Sequence, residues 1–177
     1  MTEKADVLIV GTGAAGLFCA LNLPANSRVR IITKDEAANS NSYLAQGGIA
    51  TLKCPEDYDT YFEDTMKAGH YKNNKASVDM MIKMSPEVIR DLLTYGVDFA
   101  RDENGFSYTR EGAHSTSRIL HHDDVTGKEI TSKLLATAKT RPNIQIDEFM
   151  TMVDIITKAH VCNHHPLIPR NCIFRYD

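Results

Sequence analysis

Three glycines, Gly11, Gly13 and Gly16, follow one apolar run and open another in the stretch VLIVGTGAAGLFCAL, residues 7–21. Their spacing is G-x-G-x-x-G, and its chemistry is that of a phosphate cradle. The first glycine makes the tight turn, the second lets a pyrophosphate approach the backbone, and the third lets helix and strand pack closely. The helix that begins there offers N–H groups and a partial positive charge to the phosphates. Thr12, Ala14 and Ala15 complete the turn and are assigned with the glycines to dinucleotide binding. Where a ribose-binding acid usually ends the second strand, Lys34 stands instead, followed by Asp35 and Glu36.

Two further stretches carry residues that could act on a ligand. In NSYLAQGGIA, residues 41–50, Gln46-Gly47-Gly48 permits close approach to the backbone. In SYTREGAHSTSRILHHDDVTG, residues 107–127, the Glu111 carboxylate is suited to an ammonium group and would repel a dicarboxylate lacking one. Read alone, Glu111 is more readily a solvated loop glutamate, because most glutamates are simply exposed. His114, His121, His122, Asp123 and Asp124 contain metal-ligating atoms, as do Cys162, His164, His165 and Cys172, but neither group has the spacing of a zinc site. No metal is expected. Met80, Met81 and Met84 read as core packing on a helix.

These residues need elements to position them. Residues 5–10 read as a buried parallel strand, 14–23 as a helix and 28–33 as a second strand, which together form a βαβ unit. Residues 35–50 have no sustained period and read as a loop that wraps something. Helical patterns follow over 59–71 and 74–84. A separate helix is expected from Ser85 as N-cap and Pro86 as first residue to Gly96. A hairpin is expected around Asn104-Gly105. Thr126 and Glu129 read as a capping box opening a helix to about residue 140. NIQIDEF and TMVDIIT read as strands, and Cys19 falls on the apolar face of the first helix.

In combination, the N-terminal fingerprint, Thr33-Lys34 and Gln46-Gly47-Gly48 resemble the flavoprotein superfamily of succinate dehydrogenase and fumarate reductase. That resemblance implies an α/β fold: the N-terminal part of a Rossmann-like FAD-binding domain with a parallel sheet, plus short hairpin and helical segments. It also implies that the loop of Asn41, Ser42, Tyr43, Leu44, Ala45, Gln46, Gly47 and Gly48 lies against FAD. Some members link the flavin through a histidine just before this loop's A-[QE]-G-G. Asn41 stands at that position here, so non-covalent FAD is implied.

Residues 107–127 are similar to the L-aspartate oxidase family, whose pattern is T-R-E-G-G-H-S followed by R-I-L-H-x-x-D-x-T-G. Thr109, Arg110, Glu111, Gly112, His114, Ser115, Arg118, Ile119, Leu120, His121, Asp124, Thr126 and Gly127 match, with Ala113 in place of the second glycine. The family resemblance implies FAD-dependent oxidation of L-aspartate to iminoaspartate in NAD biosynthesis, with oxygen or fumarate as electron acceptor. It gives Glu111 a substrate-orienting role and makes quinolinate synthase a partner. It covers residues 6–157, about the first third of a typical member, and leaves 158–177 as an atypical tail. The alternatives are a non-catalytic FAD-binding fragment and a succinate or fumarate flavoprotein, which Glu111 and Asn41 disfavour.

Composition agrees with a small-molecule partner. Lysine and arginine number 20 against 23 acidic residues, so the basic excess that nucleic acid or an anionic membrane would require is absent. The apolar runs are far shorter than the roughly 20 residues of a membrane span. The first residues lack the features of a secretory leader, and the cytoplasm is the expected location. The four cysteines are scattered and read as free thiols rather than a disulfide framework.

Overall fold

The computed structural model describes residues 4–103 and 105–155. In chain order they form β1 (Val7–Val10), α1 (Ala14–Leu21), β2 (Val29–Ile32), β3 (Ile49–Ala50), a 3-10 turn (Pro55–Asp57), α2 (Tyr58–Ala68) and α3 (Lys75–Thr94). There follow β4 (Arg101–Asp102), β5 (Gly105–Phe106), β6 (Tyr108–Thr109), β7 (Ile119–Leu120), α4 (Thr126–Thr140) and β8 (Ile144–Asp147). They divide into two compact units, Met1–Ser40 with Ala138–Asp177, and Asn41–Thr137.

The first unit is a three-stranded parallel sheet in the order β1-β2-β8, with Val7 opposite Val29 and Val29 opposite Ile144. Parallel strands need a crossover between them, and α1 supplies the one between β1 and β2. Leu17, Ala20 and Leu21 of α1 are buried with Val29, Ile31 and Ile32 of β2, which are the apolar positions the βαβ reading requires. Arg28 pairs with Asp6, and Arg30 of β2 with Asp147 of β8. Cys19, expected on the apolar face of α1, is instead exposed, because the buried stripe runs through Leu17, Ala20 and Leu21.

The second unit joins a β3-β7-β6 antiparallel sheet and the β4-β5 hairpin to α2, α3 and most of α4. One core cluster is formed by Tyr61, Met66, Val78 and Ile82, with Ala50, Leu52, Tyr58 and Phe62 against it. The expected hairpin is present, with Asn104 of its turn outside the described residues.

Several expectations are corrected. The two helices read over 74–84 and 85–96 are one helix, α3, which passes through Pro86 without a break. Its N-cap is Asn74, whose side chain accepts from the Ser77 amide at 3.1 Å. A proline inside a helix cannot bond the carbonyl four residues earlier, which here belongs to Ile82. The Ser85 hydroxyl donates to that carbonyl at 2.7 Å and accepts from the Leu52 amide at 2.9 Å. The buried stripe Val78, Ile82, Ser85, Ile89 and Leu92 continues across the proline at spacings of four and three, so packing holds the helix together where local propensity would end it. That stripe also leaves Met80, Met81 and Met84 outside the core, at 66%, 48% and 46% exposure. Thr126 and Glu129 do not form a capping box: Thr126 accepts from the His122 amide, in the turn before the helix, and Glu129 from the distant Asp98 amide. Residues 151–155, read as part of a strand, have no ladder partner and are not one, while 156 and 157 lie outside the described residues.

Ser85→Ala is expected to destabilise the chain by about 1–3 kcal/mol, since it leaves two backbone groups unpaired. The loss would be read as a lower urea midpoint at unchanged slope. Adding Pro86→Ala, which supplies an N–H for the Ile82 carbonyl, is expected to recover part of it.

Candidate functional site

The predicted residues fall into two groups, one in each unit. In the first unit Gly11 bends the chain after β1 at φ +103°, a region that L side chains rarely adopt, and its amide donates to the Ile32 carbonyl at 2.8 Å. A Cβ on Gly16 would stand 2.3 Å from the Gly11 carbonyl oxygen and 3.2 Å from Ile9 Cγ2, so only glycine lets α1 lie this close to β1. Gly13 is the N-cap of α1, and no side chain caps the helix. Ala14 and Ala15 open that helix, and Thr12 is buried with its hydroxyl 3.4 Å from that of Thr33 at the end of β2. Lys34 follows and is exposed. A glycine turn closed by close packing, leading into a helix start without a side-chain cap, fits a pyrophosphate.

In the second unit the loop of residues 41–48 is held at both ends. Gly48 enters β3, and a Cβ there would stand 2.2 Å from the Leu120 carbonyl oxygen of β7. Gly127, in the first turn of α4, donates to the Ala45 carbonyl at 3.0 Å, and a Cβ on it would reach 2.0 Å from the Ser42 carbonyl oxygen. The Lys128 ammonium lies over the Tyr43 ring. Asn41, Gln46 and Gly47 are exposed, and Leu44 is 73% exposed. A loop pinned at its backbone with its tip open can face a ligand.

Glu111 lies in the segment between β6 and β7, and its side chain comes up against this same loop. A Cβ placed on Gly47 would be 3.1 Å from Glu111 Oε2. The structure therefore brings together the carboxylate of one signature and a glycine of the other.

What fixes that segment was not legible as a site in the sequence. Arg118 has a fully buried side chain, at 0% exposure, and its guanidinium is divided between two carboxylates of the second unit. Nε and NH2 donate to Asp57 at 3.0 and 2.7 Å, and NH1 donates to Asp64 at 2.6 Å. The Ser115 amide and hydroxyl also donate to Asp64, and the Thr116 hydroxyl to Asp57. Hydrogen bonds from Arg118 hold the Asp57 carboxyl below its ordinary range. Burial opposes ionisation of Asp64, but the Ser115 amide, Arg118 and the Ser115 hydroxyl outweigh it and hold this carboxyl at about 2. Arg118 also lies over the Tyr61 ring at 4.8 Å. Asp57, the N-cap of α2, and Tyr61 and Asp64 within it recur at intervals of four and three, which puts them on one side of that helix and its start, and that spacing was the available signal. Among the described residues, no group of three or more His, Cys, Asp or Glu could hold a metal ion; Cys162, His164, His165 and Cys172 lie outside them. No helix among the described residues is long and apolar enough to cross a membrane.

Known proteins resemble this chain in sequence and fold. The FAD binding domain family matches residues 6–166. An L-aspartate oxidase of Clostridium perfringens is 44% identical over 162 residues, covering 92% of this chain and 37% of the relative. One of Clostridium acetobutylicum is 41% identical over 177 residues, covering 99% of this chain and 41% of the relative. The chain thus spans about two fifths of the length of these two relatives. Among solved structures, the FrdA chain of a mutant E. coli quinol fumarate reductase superposes with a TM-score of 0.83 at 27% identity, covering 89% of this chain and 28% of that one.

Two outcomes test the buried cluster. Arg118→Leu leaves two carboxylates buried without their partner and is expected to cost roughly 3–5 kcal/mol, read by urea unfolding. Asp64 is held below its ordinary value of 3.8, so its contribution to stability is complete above that value and is lost as pH falls towards about 2. Thermal melts over pH 5 to 2 are therefore expected to fall less steeply for Asp64→Asn than for the unsubstituted chain.

Proposed function

We propose that this chain, which belongs to the FAD-binding domain family, holds FAD non-covalently and serves the oxidation of L-aspartate to iminoaspartate, the reaction of an L-aspartate oxidase. The observation that carries the reading is the approach of Glu111 to Gly47, which sets a carboxylate beside the loop assigned to the cofactor. Gly11, Thr12, Gly13, Ala14, Ala15, Gly16 and Lys34 would hold the dinucleotide from the first unit, with the pyrophosphate at the start of α1. By the family resemblance, residues 41–48 are cofactor-binding as well. Asn41, in place of a histidine, is the reason the link is non-covalent. When bound, the cofactor supplies a two-electron acceptor for the hydride that leaves the substrate Cα.

Glu111 orients the substrate by accepting hydrogen bonds from its ammonium group. A hydrogen bond to a charged group contributes about 1.5–3 kcal/mol, enough to separate an amino dicarboxylate from one lacking nitrogen by roughly 10- to 150-fold. The same carboxylate repels succinate, which offers it no donor. The proposal extends to oxygen or fumarate as final electron acceptor, to quinolinate synthase as partner and to the cytoplasm as location. The name of the clostridial relatives and the likeness to a fumarate reductase chain support the substrate and acceptor classes. A second reading, FAD binding without turnover, is favoured by the balance of the assigned residues, all of which except Glu111 are assigned to the cofactor.

The test is the visible spectrum of the chain after incubation with FAD and desalting, followed by anaerobic L-aspartate. Retained flavin that bleaches with L-aspartate supports the oxidase reading, and retained flavin that does not bleach supports binding alone. Bleaching by succinate and not by L-aspartate would overturn the assignment of substrate. Gly16→Ala, which forces a Cβ onto the Gly11 carbonyl, is expected to abolish flavin retention. Glu111→Gln is expected to retain flavin while weakening the L-aspartate response by at least about tenfold.

A further inference from the structure

His114 stands where the turn carrying Glu111 meets the buried guanidinium. Its backbone amide donates to the Glu111 carbonyl at 3.3 Å, closing a four-residue turn in which Gly112 takes φ +57°. Its ring Nδ1 is 2.9 Å from Arg118 NH1. A guanidinium has donors and no acceptor, so Nδ1 must accept, which places the ring hydrogen on Nε2 and leaves the imidazole neutral. The ring edge also meets Tyr61, with centroids 5.5 Å apart at 71°. One end of the turn is therefore fixed to Arg118 and α2, while the other bears an exposed side chain directed at Gly47.

His114 accepts one of the two N–H groups on Arg118 NH1. Arg118 has no contact with solvent, Nε and NH2 are taken by Asp57, and NH1 is shared between Asp64 and His114. Removing the His114 acceptor leaves one buried N–H of NH1 without its partner, and the turn loses its anchor. The charged and titratable groups around the ring are Arg118, Asp57, Asp64, Tyr61 and, at the other end of the turn, Glu111. Burial, and then the charge of Arg118, hold the ring below its ordinary pKa, which keeps it an acceptor at neutral pH.

We infer that His114 is a positioning residue: by accepting from Arg118 and closing the 111–114 turn, it holds the Glu111 carboxylate against Gly47 and so sets the preference for a dicarboxylate that carries an ammonium group. This inference rests on the role proposed above for Glu111. It assigns the selectivity to a relay from α2 through Arg118 and His114, with Glu111 as the group that touches the substrate.

The experiment measures binding of L-aspartate and of succinate to the FAD-loaded chain by flavin difference absorbance, and takes the ratio of the two dissociation constants. His114→Leu is expected to lower the preference for L-aspartate by about tenfold while leaving FAD affinity unchanged. His114→Asn, whose side-chain oxygen falls near the position of Nδ1, is expected to restore the preference. His114→Gln, whose amide reaches past it, is not, and the Asn and Gln pair decides the matter if the leucine variant fails to fold. An unchanged ratio in His114→Leu and His114→Gln, with the preference lost in Glu111→Gln, overturns the role of His114 and leaves that of Glu111 standing. A ratio unmoved by Glu111→Gln, or no response to L-aspartate in the unsubstituted chain, overturns both.

Discussion

Everything assigned to the second unit depends on one buried guanidinium. Taking Arg118 and two carboxylates out of water costs several kcal/mol per ion, and the pairing repays this only when geometry and further hydrogen bonds are nearly complete. Here they are. Asp57 receives two bonds from Arg118 and one from Thr116, while Asp64 receives one from Arg118 and two from Ser115. A satisfied ionic cluster adds little net stability over a packed apolar one, but it admits few alternative arrangements. Its consequence is orientation: the chain between β6 and β7 can dock on α2 in one way.

That docking is passed on through β7. The strand pairs with β3 on one side and β6 on the other, so the loop that ends at Gly48 and the segment that carries Glu111 are attached to the same two residues, Ile119 and Leu120. The glycines at this junction are required by backbone crowding. Gly48 must pass the Leu120 carbonyl, and Gly127 must pass the Ser42 carbonyl, at distances a side chain would not permit. A signature that mixes Arg118, Thr126 and Gly127 with Glu111 is therefore a set of structural ties around one exposed carboxylate. Most of its residues build the position that Glu111 occupies.

The first unit works on a more local scale. Gly11 and Gly16 meet within one turn, and β1, α1 and β2 are consecutive in the chain, so the glycine turn needs few long-range contacts to take shape. This is why the G-x-G-x-x-G reading, both strands and the intervening helix were legible from residue types and spacing. The hairpin at residues 101–106 and the extent of α4 were legible for the same reason, because turn chemistry and helical period are local. The misread features share the opposite property. Ser85 and Pro86 carry a strong local signal for a helix start, but the buried stripe from Val78 to Leu92 and the Leu52 amide override it. Thr126 and Glu129 have the spacing of a capping box, but each finds a partner outside the helix.

By itself, then, the sequence determined the glycine turn, the order of the elements in the first unit and the family, and it singled out Glu111 as the residue proposed to meet a substrate. Each is encoded by residue type at short separation, where steric limits on glycine and the period of helix and strand act directly. Only the tertiary structure decided that Asp57 and Asp64 hold Arg118, that Arg118 holds His114, and that Glu111 comes to rest beside Gly47. Those pairings join residues 54 to 64 positions apart, or four apart through a turn closed from elsewhere. A charged side chain carries no mark of its partner until burial removes water as the alternative, and burial is a property of the fold.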